Sequence, residues 1–332
     1  MADRSEEGAA LPINVKMRAI RQQEWGGLET MRLVEVDRPE VAPTEVLVRV
    51  MAAGVNPVDH FTRLGVAYNR VLDLPFINGW DVAGVVVEVG YGVTLFKPGD
   101  RVFGMPRFPR EAGAYAEYVT APSRQLALIP PGLSYAEAAA LPLAGLTAWQ
   151  MLVDTAELLP GQRVLVTAAA GGVGHLAVQI AKARGAYVIG TARAAKHPFL
   201  YDLGVDEAID YTTAEVSETV TDLDIVLQMF GGGPALRALK CLQPGGILVN
   251  AQAAWTPGMH QRAAELGVRA SAFLVEPDAA GLEALGDLVR EGALTVHIDR
   301  NLPLAAAAEA HELMATAQTT GKVVLTIGEE TR

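Results

Sequence analysis

Cysteine is almost missing from this 332-residue sequence, where Cys241 stands alone. A single thiol excludes an intrachain disulfide and any zinc site built from two or more cysteines. Leu239 and Leu242 flank it, so Cys241 reads as a buried structural thiol on a helix face. The six histidines are scattered, with no His-x-x-x-His pair. Long hydrophobic runs are lacking too. Residues 164–181 carry no Asp, Glu, Lys or Arg, but a Gly-Gly-Val-Gly turn breaks them, and 138–153 contain Pro142 and Gly145. Neither offers the roughly 20 continuous apolar residues of a spanning helix. Positive charge is in deficit: the formal net charge of −11 argues against nucleic-acid or anionic-membrane partners. It leaves room for a local basic pocket. Residues 1–14 lack apolar periodicity and the apolar core of a secretory signal, so they are expected to be a loose tail on a cytoplasmic protein.

What is present is a chain long enough for two domains, half of it hydrophobic and a fifth charged. Residues 15–130 favour strands and turns. Residues 45–50 (EVLVRV) alternate like a half-buried strand, and the β-branched run 82–89 suits a strand buried on both faces. Lys97-Pro98-Gly99-Asp100 reads as a tight turn. Ser134 followed by Glu137 predicts a capping box opening an alanine-rich helix. From Arg163 onward, strand and helix alternate: a strand over 164–167, a helix over 175–184 closed by Gly185, and a strand over 187–191. Further strands are expected at 208–209, 225–227, 247–250 and 269–275. This pattern implies a parallel sheet with helices on both faces. The end of the chain predicts helices over 281–291 and 305–317 and a closing strand over 322–327, returning to the first domain.

The most informative stretch runs from Val164 to Gly174 (VLVTAAAGGVG). A dinucleotide pyrophosphate needs close backbone and a helix N-terminus aimed at it, and glycine permits both. Gly171 and Gly174 fill the second and third positions of G-x-G-x-x-G, while Ala169 stands at the first. The strand before, the helix after and the second strand beyond supply the context that a bare glycine turn lacks. At the end of that second strand an NAD site usually carries an acid that accepts from the ribose hydroxyl. Here the chain reads Thr191-Ala192-Arg193, with Lys196 and His197 next. Donors and positive charge suit a ribose phosphate, so NADPH is the expected cofactor.

The chain resembles the medium-chain dehydrogenase/reductase superfamily, in its zinc-independent quinone oxidoreductase branch. The resemblance runs from about Met17 to Ile327. It is carried by Gly54-Val55-Asn56-Pro57-Val58-Asp59, residues 84–90 (GVVVEVG), residues 97–102 (KPGDRV), Gly145-Leu146-Thr147-Ala148, the glycine turn and Gly321-Lys322-Val323-Val324. It implies an α/β protein: a GroES-like β-rich catalytic domain over residues 1–134 and 276–332, and a Rossmann domain, a doubly wound parallel sheet, over 135–275. Zinc-dependent members have a ligand cysteine where this chain has Asn56 and a ligand histidine where it has Trp80, so no metal site is expected. The resemblance further implies cofactor contacts from Asn56, Thr147, Ala170, Gly171, Gly172, Val173, Gly174, Tyr211, Phe230, Asn250, Gln252 and Lys322, with Lys322 near the phosphates. Arg193, Lys196 and His197 join them from the reading above. Relatives often carry tyrosine where this chain has Phe61, which leaves Tyr68 as the phenol nearby. Relatives commonly dimerise through a Rossmann edge strand, here 269–275.

The cofactor carries the hydride chemistry, so the protein need only orient the reactants. Asn56 and Tyr68 are the candidates to hydrogen-bond an acceptor oxygen as charge develops on it, and Asp59 reads as a structural residue. Three functions fit: an NADPH:quinone oxidoreductase; a reductase of enone or enoyl-thioester double bonds, in which Tyr68 or water supplies the proton; and a non-catalytic NADPH-binding protein.

Overall fold

The computed structural model describes residues 15–328, and the tail expected over 1–14 lies outside them. Six parallel strands form one sheet in the order Glu207–Asp210, Tyr187–Ala192, Arg163–Val166, Leu223–Gln228, Leu242–Asn250, Arg269–Ala272. Numbered along the chain, that order is 3-2-1-4-5-6, the doubly wound Rossmann arrangement. Winding reverses between Arg163–Val166 and Leu223–Gln228, which opens a crevice beyond their carboxyl ends. Alternate residues serve opposite faces, as strand geometry requires. Val164, Val166, Val188, Ile225 and Leu227 pack with Leu176, Val178 and Ile180 of the helix Gly174–Ala183. Leu165, Ile189, Val226 and Leu248 pack on the other side with Leu239, Met259 and Ala263. Cys241 is buried in that second layer.

Seven antiparallel and mixed strands form the other large sheet, with Glu45–Val55 at its heart. That strand was expected to be half buried, yet only Glu45 and Arg49 are partly exposed. Asp81–Val89 lies along one edge, Tyr118–Pro122 and Lys322–Thr326 share the other, and the helix Tyr135–Ala140 packs against the strand as well. Ala307 and Ala310, from the helix Ala307–Ala315, pack into the same core. The last strand sets Val323 opposite Val55 and Val324 opposite Gly54, and Gly54 faces Asp81 on its other side. Residues 56, 81 and 322 therefore sit together at one end of three neighbouring strands.

The helix opened by Ser134 is split. Glu137 N donates to Ser134 Oγ at 3.2 Å and Ser134 N donates to Glu137 Oε2 at 2.9 Å, completing the capping box. The helix then stops at Ala140, because Pro142 offers no N–H, and restarts as Pro142–Trp149. The expected strand over 269–275 ends at Ala272.

Candidate active site

The glycine turn lies at the sheet's reversal point, as the doubly wound topology predicts for a ligand crevice. Its left-handed residue is Ala168, at φ 49°, rather than Ala169. Gly171 N donates to Ala168 O at 2.8 Å to close the turn. A Cβ added at Gly174 would overlap the Ala168 carbonyl and stand 2.6 Å from Ala169 Cα, so this glycine is demanded by packing. Gly171 and Gly172 are more open, with an added Cβ at 3.2 Å from Ala168 O and from Lys322 Cδ respectively. The N–H groups of Gly172, Val173 and Gly174 have no acceptor among the described residues. They are the orphan donors of the ten-residue helix Gly174–Ala183.

His175 ties this turn to the returning tail. The buried imidazole has Nδ1 at 2.9 Å from Gly171 O and Nε2 at 3.3 Å from His297 N. Nε2 must accept there, so Nδ1 carries the proton and donates. Burial, ahead of nearby positive charge, holds its pKa down to about 4, so the ring is neutral. One turn later Gln179 accepts from Thr295 N at 2.9 Å and donates to Thr295 O at 3.0 Å. Gly321 N donates to Ala170 O at 2.9 Å, and Lys322 N to His297 O at 2.9 Å. The cofactor turn and the tail thus share one hydrogen-bonded seam.

Below the turn lies a buried charged cluster. Lys322 Nζ donates to Asn56 Oδ1 and sits 3.7 Å from Asp81 Oδ2. Asn56 Nδ2 donates to Asp81 Oδ2 at 2.9 Å, and Leu143 N to Asp81 Oδ1 at 2.8 Å. Burial pushes the Asp81 carboxyl up and the Lys322 ammonium down, and their attraction opposes both shifts. Thr147 Oγ1 donates back along its helix to Leu143 O at 2.7 Å, leaving its oxygen able to accept. Lys322, expected near the phosphates, runs its stem beneath Gly172 but directs its Nζ at Asn56.

A second buried chain of polar groups adjoins the first. Asn56 N donates to Asp59 Oδ2 at 2.7 Å, capping the helix Pro57–Arg63, and Tyr115 OH donates to the same oxygen at 3.2 Å. His311 Nε2 lies 3.4 Å from Tyr115 OH. Burial, before any charge effect, pushes the Asp59 carboxyl up to about 7 and the His311 imidazole down to about 3.

Tyr68 lies over an aromatic group. Its ring meets Phe108 edge-on at 5.3 Å and Trp80 at 6.2 Å, and Trp80 meets Phe108 at 5.2 Å. Trp80 Nε1 donates to Arg110 O at 2.8 Å. Tyr68 holds a left-handed backbone, φ 55°, and its hydroxyl has no protein partner among the described residues. Burial raises its pKa, so the phenol stays protonated. Phe61 packs edge-on against Trp255 at 5.4 Å.

On the far side of the turn a cavity of about 300 Å³ is lined by Thr167, Thr191, Gln228, Tyr211 and Phe230, among others. Arg193 Nε donates to Tyr211 OH at 3.3 Å at its rim. Asp210, at the end of the neighbouring strand, is committed to Thr212 N at 2.9 Å and Ala194 N at 3.2 Å. Two of the predicted phosphate residues are also engaged elsewhere. Lys196 Nζ donates to Gln318 O at 2.8 Å and Thr319 O at 2.9 Å, and His197 Nε2 lies 3.2 Å from Ala192 O. Asn250 and Gln252 shape a loop: Asn250 Oδ1 accepts from Gln252 N at 2.8 Å, and Gln252 Oε1 from Gly231 N at 3.2 Å.

Two family models match the chain: an alcohol dehydrogenase GroES-like domain over residues 42–131 and a zinc-binding dehydrogenase over 203–325. An NADPH-dependent alkenal/one oxidoreductase of Arabidopsis thaliana is 34% identical, over 97% of this chain and 84% of that protein. The structure of the quinone oxidoreductase from Coxiella burnetii superposes with a TM-score of 0.90 at 35% identity, covering 95% of this chain and 100% of that one. The chain belongs to the quinone oxidoreductase branch of the medium-chain dehydrogenase/reductase superfamily. The NADPH complex of the Escherichia coli quinone oxidoreductase also superposes, with a TM-score of 0.83 at 28% identity over 94% of this chain and 100% of that one.

For a member of this superfamily, the donor set at the glycine turn fits NADPH. The turn offers free N–H groups at a helix N-terminus, and Arg193 stands beside the cavity with no acid at the end of its strand. Among the described residues no group of three or more His, Cys, Asp or Glu is arranged to hold a metal ion. Sequence reasoning singled out Trp80 and passed over its neighbour Asp81. The available signal was an acid followed by six apolar residues in its strand, Asp81–Val89. It also missed His175, whose place one residue beyond the turn's last glycine was the only hint, and the pair Tyr115 and His311, which lie 196 residues apart.

Proposed function

We propose that this chain is an NADPH-dependent, zinc-independent oxidoreductase that transfers hydride to a quinone-type acceptor. The observation that carries this reading is the meeting of two features across one seam. Gly172, in the turn that carries the orphan N–H groups, packs against the stem of Lys322, whose ammonium holds the buried Asn56. A dinucleotide grip thus adjoins a fixed polar donor.

Residues Ala170 to Gly174 hold the pyrophosphate, and Arg193 meets the ribose phosphate, flanked by Lys196 and His197. Tyr211 and Phe230 border the adenosine cavity, while Thr147, Asn250 and Gln252 line the nicotinamide side. Lys322 acts through Asn56. NADPH, when bound, supplies the hydride. Asn56 donates to the acceptor oxygen as negative charge grows there. A quinone is already electrophilic, so no strong acid is needed. The NADPH-complexed relative supports the cofactor, and Asn56 and Trp80, at positions where metal-dependent members have ligands, support the zinc-free reading.

One observation favours a second reading, reduction of an activated double bond. The Tyr68 hydroxyl is protonated and uncommitted, as a proton donor to the α-carbon needs to be. The sheet connectivity supports the division into residues 1–134 with 276–332 and 135–275, and Arg269–Ala272, an outer strand of its sheet, supports a homodimer. No helix among the described residues is long and apolar enough to cross a membrane. A cytoplasmic location is part of the proposal.

The test is cofactor oxidation by purified, metal-stripped protein, comparing NADPH with NADH across simple quinones, enones and enoyl thioesters. NADPH-dependent quinone turnover, unchanged by added zinc, is expected. Turnover of alkenes alone moves the protein to the second reading, and in that case Tyr68→Phe slows enone reduction far more than any residual quinone reduction. Bound NADPH with no turnover of any acceptor refutes both.

A further inference from the structure

We propose that Asp81 is the residue that positions Asn56, fixing its side-chain amide so that one Nδ2–H is left to donate to the substrate oxygen. The inference rests on the oxidoreductase reading and names what sets the polarity of that site.

The two ends of an asparagine amide have nearly the same shape, so an unconstrained Asn offers a substrate oxygen a donor in one orientation and a repelling acceptor in the other. Here the choice is made by two groups that cannot exchange roles. Lys322 has only donors, and it occupies Asn56 Oδ1. Asp81, as a carboxylate, only accepts, and it takes one hydrogen of Asn56 Nδ2 at 2.9 Å. A flipped amide would set NH₂ against an ammonium and a carbonyl against a carboxylate, two repulsive contacts in a buried site. Donors converge on Asp81 from Asn56 Nδ2, Leu143 N at 2.8 Å and Lys322 Nζ at 3.7 Å, contacts that favour its carboxylate form against the upward push of burial.

The backbone is shaped for this carboxylate. Gly54 lies opposite Asp81 in the sheet, and a Cβ there would stand 2.7 Å from Asp81 Oδ2 while overlapping the Ala139 carbonyl. A strand residue without a side chain leaves the room that Asp81 fills. Asp81 also anchors the helix Pro142–Trp149 through Leu143 N, and Thr147 spends its only hydroxyl hydrogen on Leu143 O. Asn56 is left with a donor and Thr147 with an acceptor, one from each side of the same carboxylate.

The decisive variant is Asp81→Asn. It keeps an acceptor for Leu143, but its NH₂ now satisfies a flipped Asn56 and Lys322 loses its counter-charge. In the NADPH holoenzyme, kcat is expected to fall about 100-fold, the scale of losing one oxyanion donor. The NADPH Kd is expected to change less than about threefold, because the glycine turn is untouched. In an Asn56→Ala background the same substitution is expected to cost less than about threefold, since the residue it acts through is gone. Equal losses in the two backgrounds overturn the proposal and leave Asp81 a purely structural residue.

A second measurement needs neither a stable Asp81 variant nor turnover. It follows the side-chain amide protons of Asn56 by NMR in the wild-type NADPH complex, assigned by their disappearance in Asn56→Ala. One proton shifted downfield and protected by Asp81, beside a partner that exchanges freely, is expected. Equal exchange of both overturns the proposal whatever the acceptor panel shows. Silence in that panel with unequal exchange sinks only the oxidoreductase reading.

Discussion

Replacing the three glycines of the cofactor turn one at a time with alanine separates two jobs that a fingerprint merges. At Gly174 the new Cβ overlaps the Ala168 carbonyl and comes within 2.6 Å of Ala169 Cα. Both obstacles are backbone, and Ala168 already holds a left-handed φ of 49°, so the turn has little left to yield. Overpacking of this kind costs about 1–3 kcal/mol. Helix propensity returns less than about 1 kcal/mol at a first-turn position. A net loss of about 1–2 kcal/mol is expected for Gly174→Ala, seen as a lower urea midpoint of the cofactor-free protein. At Gly171 and Gly172 the nearest atoms stand 3.2 Å from the new Cβ, and at Gly172 that atom belongs to the flexible Lys322 stem. Stability there is expected to change by less than about 0.5 kcal/mol. A methyl group nevertheless interrupts the bare backbone that a pyrophosphate approaches, so the NADPH Kd of Gly171→Ala rises about tenfold or more. Fluorescence titration with NADPH reads the second quantity. If Gly171→Ala and Gly174→Ala lose stability and affinity in the same proportion, the division between packing glycine and phosphate glycine is wrong.

Acid sensitivity provides a second test, because His175 and His311 have folded pKa values of about 4 and about 3, below their ordinary 6.5, while Asp59 is raised from 3.8 to about 7. Between pH 4 and 6.5 the unfolded chain binds the two histidine protons and the native state keeps the Asp59 proton, so stability rises with pH by about 1.4 kcal/mol per unit, and Asp59→Asn roughly doubles that slope. Urea midpoints at pH 5 and pH 6 check it, and equal slopes for wild type and variant refute the burial of Asp59. Arg193→Ala, which removes the proposed charge-assisted bond to the ribose phosphate, is expected to weaken NADPH by about 10- to 100-fold and leave NADH unchanged. Lys196→Ala has the smaller effect, since two of its donors already serve Gln318 and Thr319. Comparing both cofactors in one titration series checks the pair.

Much of the parallel sheet was legible because each buried strand announces itself as a short apolar run and each turn by glycine. The capping box at Ser134 and the C-cap at Gly185 were local patterns, and local patterns survive folding. Legibility failed where neighbours decide. Residues 45–50 alternate in sequence, and Glu45 and Arg49 do stay partly exposed, but the helix Tyr135–Ala140 packs against Glu45–Val55 from elsewhere in the chain and the rest of the strand is buried. Arg193, Lys196 and His197 look alike on paper as a basic cluster. Only the packing of residues 318–319 against Lys196, and of Ala192 O against His197, leaves Arg193 as the one turned to the cavity rim.

The site itself depends on register, a quantity that sequence spacing does not carry. Lys322 and Asn56 are 266 residues apart and become neighbours because Val323 pairs with Val55. Asp81 joins them because it pairs with Gly54. Shift the last strand by one residue and its side chains change faces: Lys322 would leave the core, and Asp81 and Asn56 would face each other with no cation to fix their polarity. The buried Lys322–Asp81 pair gains little stability over a well-packed apolar contact, yet losing one partner leaves an unpaired charge at a cost of about 3–5 kcal/mol. That asymmetry penalises every other register. The residues that give the site its polarity therefore also hold the returning strand to the one alignment in which the site exists.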